Sequence, residues 1–159
     1  MARHSRFRAQ REESSKGHVL LGEILHTIFP IGKIYQEYPL DLVLKCGYKD
    51  QGIEEDNQDK FLLDRARKLR ADWVVLDRRL VVEFHGEHHY QAVDYGDGKG
   101  EEAYQHRLHL DMIKRSIVKE AGFFLIEWPH YEELTEDSFT EKWEEVLEQW
   151  MISQQGSKP

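Results

Sequence analysis

Two carboxylates, Asp72 and Glu83, sit in neighbouring runs that alternate as β-strands do, Ala71 to Asp77 and Leu80 to His85, with a tight turn about Asp77 and Arg78 between them. For a hairpin with an even-numbered loop centred between Asp77 and Arg78, paired positions sum to 155, so Asp72 faces Glu83. Directly opposed partners hold their Cβ atoms about 4.5–5.5 Å apart on one face, and like charges there repel unless something compensates. A divalent cation compensates: Mg2+ takes one or two carboxylates and keeps waters that a phosphate can displace. The backbone carbonyl of Phe84 is a third oxygen beside the ligand strand. Such an ion would polarise a phosphodiester and activate a water nucleophile. Without an ion, the same pair would be an acidic patch at a solvated sheet edge. Alternation also puts His85 on the face of Glu83, with Leu80, Val82 and Phe84 turned to the other side and into a core.

The run Glu83-Phe84-His85-Gly86-Glu87-His88-His89-Tyr90 carries three histidines within five positions. It matches neither His-Glu-x-x-His nor any Cys-containing zinc pattern. An imidazole that titrates near neutrality suits general base or acid work at His85 or His89. Gly86 allows the sharp turn that would bring His89 back towards the carboxylates, and His88 reads as exposed. Asp111 and Lys114, three apart, share a helix face with Arg107, which by spacing alone is a surface ion-pair ladder.

These groups need a scaffold. Leu20, Leu21, Ile24, Leu25, Ile28 and Phe29 recur at helical spacing up to Pro30, which stops the helix. Lys33 to Lys45 reads as a strand, made an edge or interrupted one by Pro39, and Gly47 to Asp59 as polar loop. Residues 60–70 form a short basic helix ahead of the two central strands. After a glycine-rich loop to Gly100, a long helix runs from about Glu101 to Ala121 and ends at Gly122, and Phe123 to Trp128 is a buried strand stopped by Pro129. A tail helix from Ser138 to Met151, with Ser138 and Glu141 as capping box, presents Trp143, Val146, Leu147, Trp150 and Met151 on one face. The order predicts an α/β (α+β) domain, a mixed central sheet flanked by helices.

The 159 residues suffice for one domain with one real core. No stretch approaches the roughly 18 apolar residues of a membrane span, and the N-terminus lacks the apolar run of a signal peptide, so the chain is expected to stay intracellular, in the cytoplasm. The single cysteine, Cys46, excludes an internal disulfide and fits a reducing compartment. The net charge of −8 argues at first against a polyanionic partner. Glu132 to Glu148 alone accounts for about −7 of it, however. Outside that segment the basic residues gather in two clusters: Arg3, Arg6, Arg8 and Arg11, then Arg65, Arg67, Lys68, Arg70, Arg78 and Arg79, the latter a candidate nucleic-acid-binding set.

The runs Arg70-Ala71-Asp72-Trp73-Val74-Val75 and Leu80 to Tyr90 resemble the core of the PD-(D/E)xK, restriction-endonuclease-like nucleases, closest to the branch of very-short-patch-repair-like and EDxHD homing-type or phage endonucleases. The match runs through Glu83, His85, Gly86 and His89, and extends to Glu23, to Asp111-Met112-Ile113-Lys114 and to Phe124 through Pro129. It covers about residues 18–131, leaving a flexible basic arm (1–17) and an acidic C-terminal helix and tail packed on the core (132–159). The resemblance implies an αβββαβ core plus a C-terminal helix, and hydrolysis of DNA phosphodiester bonds with Mg2+, for which Mn2+ substitutes. Asp72 would be the central metal ligand and Glu83 a second. Glu23 would reach the metal-bound waters from its helix, Asp111 would support the site, and His85 stands where the superfamily has its lysine. His85, His89 and Lys114 all remain open as the replacement for that lysine. DNA is the implied partner, with a homodimer or a specificity protein alongside it. The alternatives are a non-cleaving nucleic-acid-binding or assembly subunit of the same fold and a nuclease acting on RNA or branched DNA.

Overall fold

In the computed structural model, which describes residues 16–92 and 98–156, the amphipathic stretch ahead of Pro30 is helix α1 (residues 16–28). Residues 1–15 of the expected basic arm lie outside the described residues; its last two, Lys16 and Gly17, belong to α1. The elements that follow are β1 (Ile34–Pro39), α2 (Leu40–Asp50), α3 (Lys60–Arg67), β2 (Arg70–Val75), β3 (Leu80–His85), α4 (Gly100–Ala121), β4 (Phe124–Pro129) and α5 (Glu136–Gly156). The four strands form one sheet in chain order, with β1–β2 and β2–β3 antiparallel and β3–β4 parallel. A parallel pair needs a crossover, and α4 is that crossover.

The sheet separates two apolar layers. On one face Val74 and Val81 meet Leu40, Val43, Leu44 and Tyr48 of α2 and Ile117, Val118 and Ala121 of α4. On the other, Trp73, Val75, Leu80, Val82, Ile126 and Trp128 pack against Leu21, Ile24 and Leu25 of α1 and Phe139 of α5. The architecture is therefore the expected mixed sheet flanked by helices, with a C-terminal helix. No helix among the described residues is long and apolar enough to cross a membrane.

Four local expectations are corrected. The strand expected over Lys33 to Lys45 stops at Pro39, and a helix follows it. Leu40, Val43, Leu44, Gly47 and Tyr48 stand at i, i+3, i+4, i+7 and i+8, a helical stripe whose start is at the residue after the proline. Gly47 to Asp50, expected as loop, is consequently the last turn of α2. The cap of α5 lies three residues earlier than expected: Ser138 N donates to Thr135 Oγ1 at 3.0 Å while Thr135 N donates to Ser138 Oγ at 2.9 Å, a reciprocal box made by Thr135 instead of Ser138 and Glu141. Finally, Trp150 and Met151, at the far end of α5, are half exposed.

Gly47 marks the closest approach of α2 and α4. A Cβ built there would lie 2.1 Å from the carbonyl oxygen of Ala121 and 2.5 Å from its Cα. Because the obstacle is backbone, Gly47→Ala is expected to cost on the order of 3 kcal/mol and to lower Tm by roughly 6–12 °C. An unchanged melting curve would show that the two helices separate without penalty.

Candidate functional site

The β2–β3 ladder has the expected register, with Trp73↔Val82, Val74↔Val81 and Val75↔Leu80 each summing to 155. Beyond Trp73 and Val82 the carboxylates step into the ladder. Phe84 N donates to Asp72 Oδ2 at 2.8 Å, and Asp72 N donates to Glu83 Oε2 at 2.9 Å. Each acid is thus pinned through one oxygen by the other strand's backbone. Of the remaining oxygens, Glu83 Oε1 accepts from Lys114 Nζ of α4 at 2.9 Å, and Asp72 Oδ1 lies 3.9 Å from His18 Nδ1 of α1.

Glu83 is 5% exposed, and burial, followed by the charge of Asp72, pushes its carboxyl up to about 7 against the pull of Lys114. A carboxyl whose folded pKa exceeds its ordinary value holds its proton more tightly when folded. Its stabilising contribution is full below about pH 4.5 and is lost as pH rises through about 7. The loss is on the order of 1–3 kcal/mol. Glu83→Gln is therefore expected to melt several degrees above the wild type at pH 8 and no higher than it at pH 5 when metal is absent. Equal differences at the two pH values would refute the assignment.

A second group adjoins the first. His89 Nδ1 lies 2.7 Å from Asp111 Oδ2, and Asp111 is 4% exposed. Burial works to raise the Asp111 carboxyl, but the hydrogen bond and charge of His89, with His85 and Arg107 behind them, hold it below its usual range. An ionised Asp111 accepts from Nδ1–H, which leaves Nε2 of His89 with the lone pair. The ring of His85 stacks on that of His89 at 4.0 Å and 4°, and its Nε2 is 3.2 Å from Glu127 Oε2; Arg115 grips that carboxylate through Nε to Oε1 and Nη2 to Oε2, both at 2.8 Å. Burial, then His89, lower the pKa of His85. His85, His89 and Asp111 each offer a ligand atom within 4.8 Å of the others, yet His89 and Asp111 are hydrogen-bonded to each other and His85 lies against Glu127.

The two groups open on a cleft of about 310 Å³ lined by Asp72, Glu83, Phe84, His89 and Lys114, together with His18, Gly86, His88 and Arg107. His88, expected to be exposed, is half-buried there, and burial pushes its pKa down to about 4. None of the family models compared with the chain matches it, and neither does any curated protein or solved structure.

Several expected site residues are not brought to the cleft. Glu23 lies on the exposed side of α1 and lines a separate apolar groove with Val19, His26 and Trp73. Helix phase explains this: five residues past His18, Glu23 is turned about 140° away. His85 sits behind His89, because its ring is held between Glu127 and the stacked imidazole. The basic set divides. Arg65, Arg67, Lys68 and Arg70 are exposed near the end of β2 that leads into Asp72, with Arg70 donating to Glu37 O at 3.0 Å. Arg78 and Arg79 sit at the opposite end of the hairpin, about 20 Å along the strand. Arg79 there grips Asp50 through Nε at 2.5 Å and Nη2 at 2.9 Å, and Arg78 covers the ring of Phe29.

His18, Glu37, Arg107 and Glu127 were not anticipated as site residues. Glu127 was readable as a residue of the opposite face, since it stands between the apolar Ile126 and Trp128 on an expected strand; the structure pairs it with Glu83. The β1–β2 register brackets Glu37 opposite Asp72, between Gln36↔Trp73 and Tyr38↔Ala71. Glu37, Asp72, Glu83 and Glu127 thus form a row of carboxylates across all four strands, answered from the helices by His18, Lys114 and Arg115.

Proposed function

We propose that this chain is a divalent-metal-dependent endonuclease that hydrolyses DNA phosphodiester bonds. The observation that carries the reading is the pair Asp72 and Glu83, each with one oxygen pinned by backbone and the other turned towards a cleft that also holds Lys114 and the Asp111-bound His89. The resemblance of these same residues to the PD-(D/E)xK nucleases supports it.

Hard carboxylate oxygens with room for water suit Mg2+ or Mn2+, which Asp72 Oδ1 and Glu83 Oε1 would hold, with the Phe84 carbonyl as a further oxygen. Once bound, such an ion polarises the phosphate and lowers the pKa of a coordinated water. Lys114 Nζ offsets the charge of Glu83 and brings a donor to the phosphate, so of the three candidates for the missing lysine it fits the role best. His89 Nε2 takes the proton of the attacking water, or returns one to the leaving oxygen, while Asp111 holds Nδ1–H in place. His85 is a positioning residue that packs on the ring of His89. Arg107, and the exposed Arg65, Arg67, Lys68 and Arg70 beside β2, face the phosphate backbone. The acidic α5 packs on the other face of the sheet, away from the substrate.

The test is incubation of the protein with supercoiled plasmid, linear duplex, single-stranded DNA and RNA, each with Mg2+, Mn2+ or EDTA. Metal-dependent cleavage of DNA is the expected result, and the ratio of nicked to linear product reports whether one chain or a homodimer cuts. Cleavage of RNA alone would move the substrate class, and no cleavage of any substrate would leave a nucleic-acid-binding or assembly subunit working with a partner protein.

A further inference from the structure

On its α1 side Asp72 faces donors that the pair with Glu83 does not use. His18 Nδ1 is 3.9 Å from Asp72 Oδ1, His18 Nε2 is 3.7 Å from Glu37 Oε1, and one ligand atom from each of the three residues lies within 4.8 Å of the others. Donors around one ion with bonds of about 2.1 Å stand about 3.0 Å apart when adjacent and about 4.2 Å when opposite. The trio, within 4.8 Å, is more open than that range, and the imidazole gives an ion one of its two nitrogens, so the side chains draw together to close on it. We propose that His18, Glu37 and Asp72 form a second divalent-cation site, one that prefers a first-row transition ion to Mg2+.

The three ligands come from three elements, and each is placed by independent contacts. Trp73 Nε1 donates to His18 O at 3.0 Å and its ring lies against the imidazole at 5.4 Å, fixing the start of α1 on the sheet. The Gln36 amide nitrogen donates to His18 Nε2 at 2.9 Å, so an ion takes Nε2 in place of that donor, or Nδ1 once the ring proton there is released. Glu37, a non-glycine residue at φ +50°, interrupts the β1–β2 pairing directly opposite Asp72, and its exposed carboxylate lies 3.7 Å from His18. Charge points the same way. Glu37, Asp72 and Glu83 lie side by side on three strands, with Lys114 at the Glu83 end and His18 at the other.

Donor chemistry selects the ion. Mg2+ is served by oxygens and water, whereas an imidazole favours Mn2+, Fe2+, Co2+ or Zn2+ over it in rising order of affinity. The cleavage reading, on which this inference builds, assigns Asp72 and Glu83 to an ion on the Lys114 side, so this site shares Asp72 with that ion and takes no ligand atom from Glu83.

Mn2+ titrated into the full chain in the presence of excess Mg2+, and followed by electron paramagnetic resonance, tests the proposal. One Mn2+ is expected to persist and to show nitrogen coupling from an imidazole. His18→Ala and Glu37→Gln should each weaken it at least tenfold, and Glu23→Gln, exposed on the other side of α1, should leave it within twofold. Absence of a nitrogen-coupled Mn2+, or an affinity unchanged by either His18→Ala or Glu37→Gln, would overturn the site. A chain that binds this ion yet cuts no nucleic acid would sustain the site and sink the endonuclease reading alone.

Discussion

Asp72→Asn is expected to lower metal-dependent cleavage by at least about 10³-fold while leaving the protein folded. The amide oxygen of asparagine can still accept from Phe84 N, as Asp72 Oδ2 does at 2.8 Å, so the end of the hairpin stays closed. Its NH2 group then occupies the position of Oδ1, and a donor replaces the anionic oxygen facing the cleft. An ion in such a site stabilises the transition state by several kcal/mol, which is where the predicted factor comes from. Two measurements separate this from simple unfolding: the melting temperature of the metal-free variant should stay within a few degrees of the wild type, and the rise in Tm expected for the wild type in millimolar Mg2+ should be absent. Wild-type cleavage by Asp72→Asn would refute the assignment of the carboxylate pair.

The second large effect falls on the His89 and Asp111 pair. His89→Ala removes the group assigned to proton transfer, and the expected loss is about 10²–10⁴-fold in kcat. Asp111→Asn is the sharper probe. A neutral amide can donate to His89 Nδ1, which puts the ring proton on Nε2 and leaves no lone pair in the cleft, the same error of tautomer that disables other carboxylate-held histidines. The fold change should match that of His89→Ala, and the double variant should be no worse than either single one, because the two residues act as one unit. Additive losses would show that Asp111 works independently of His89.

The heart of the site was legible in the sequence because it depends on short-range geometry. Two strands and a four-residue connection from Leu76 to Arg79 suffice to place Asp72 against Glu83, and the alternation of Val81 and Glu83 gives the face. Helix α2 was misread because Pro39 appeared as a defect in a strand when it is the last residue of one element and the start of the next. The contribution of α1 was misread because the phase of a helix against a sheet is set by packing. Gly22 rests on the ring of Trp73, where a Cβ would come within 2.2 Å of it, and this contact turns His18 towards Asp72 and carries Glu23 away. The stack of His85 on His89 was out of reach for another reason. It depends on the backbone path through Gly86 and on Asp111 from a helix more than twenty residues later.

The parallel crossover gives the chain a built-in order of arming. Both carboxylates belong to a hairpin that is synthesised before α4 and β4, and an emerging chain ending before Gly100 would carry Asp72 and Glu83 without Lys114, Asp111 or Arg115. Domains fold as units once their last elements leave the ribosome, so no cleft closes around the two acids until the crossover helix lies down and β4 docks beside β3. On the endonuclease reading, a nascent chain that still lacks α4 and β4 would therefore be inert.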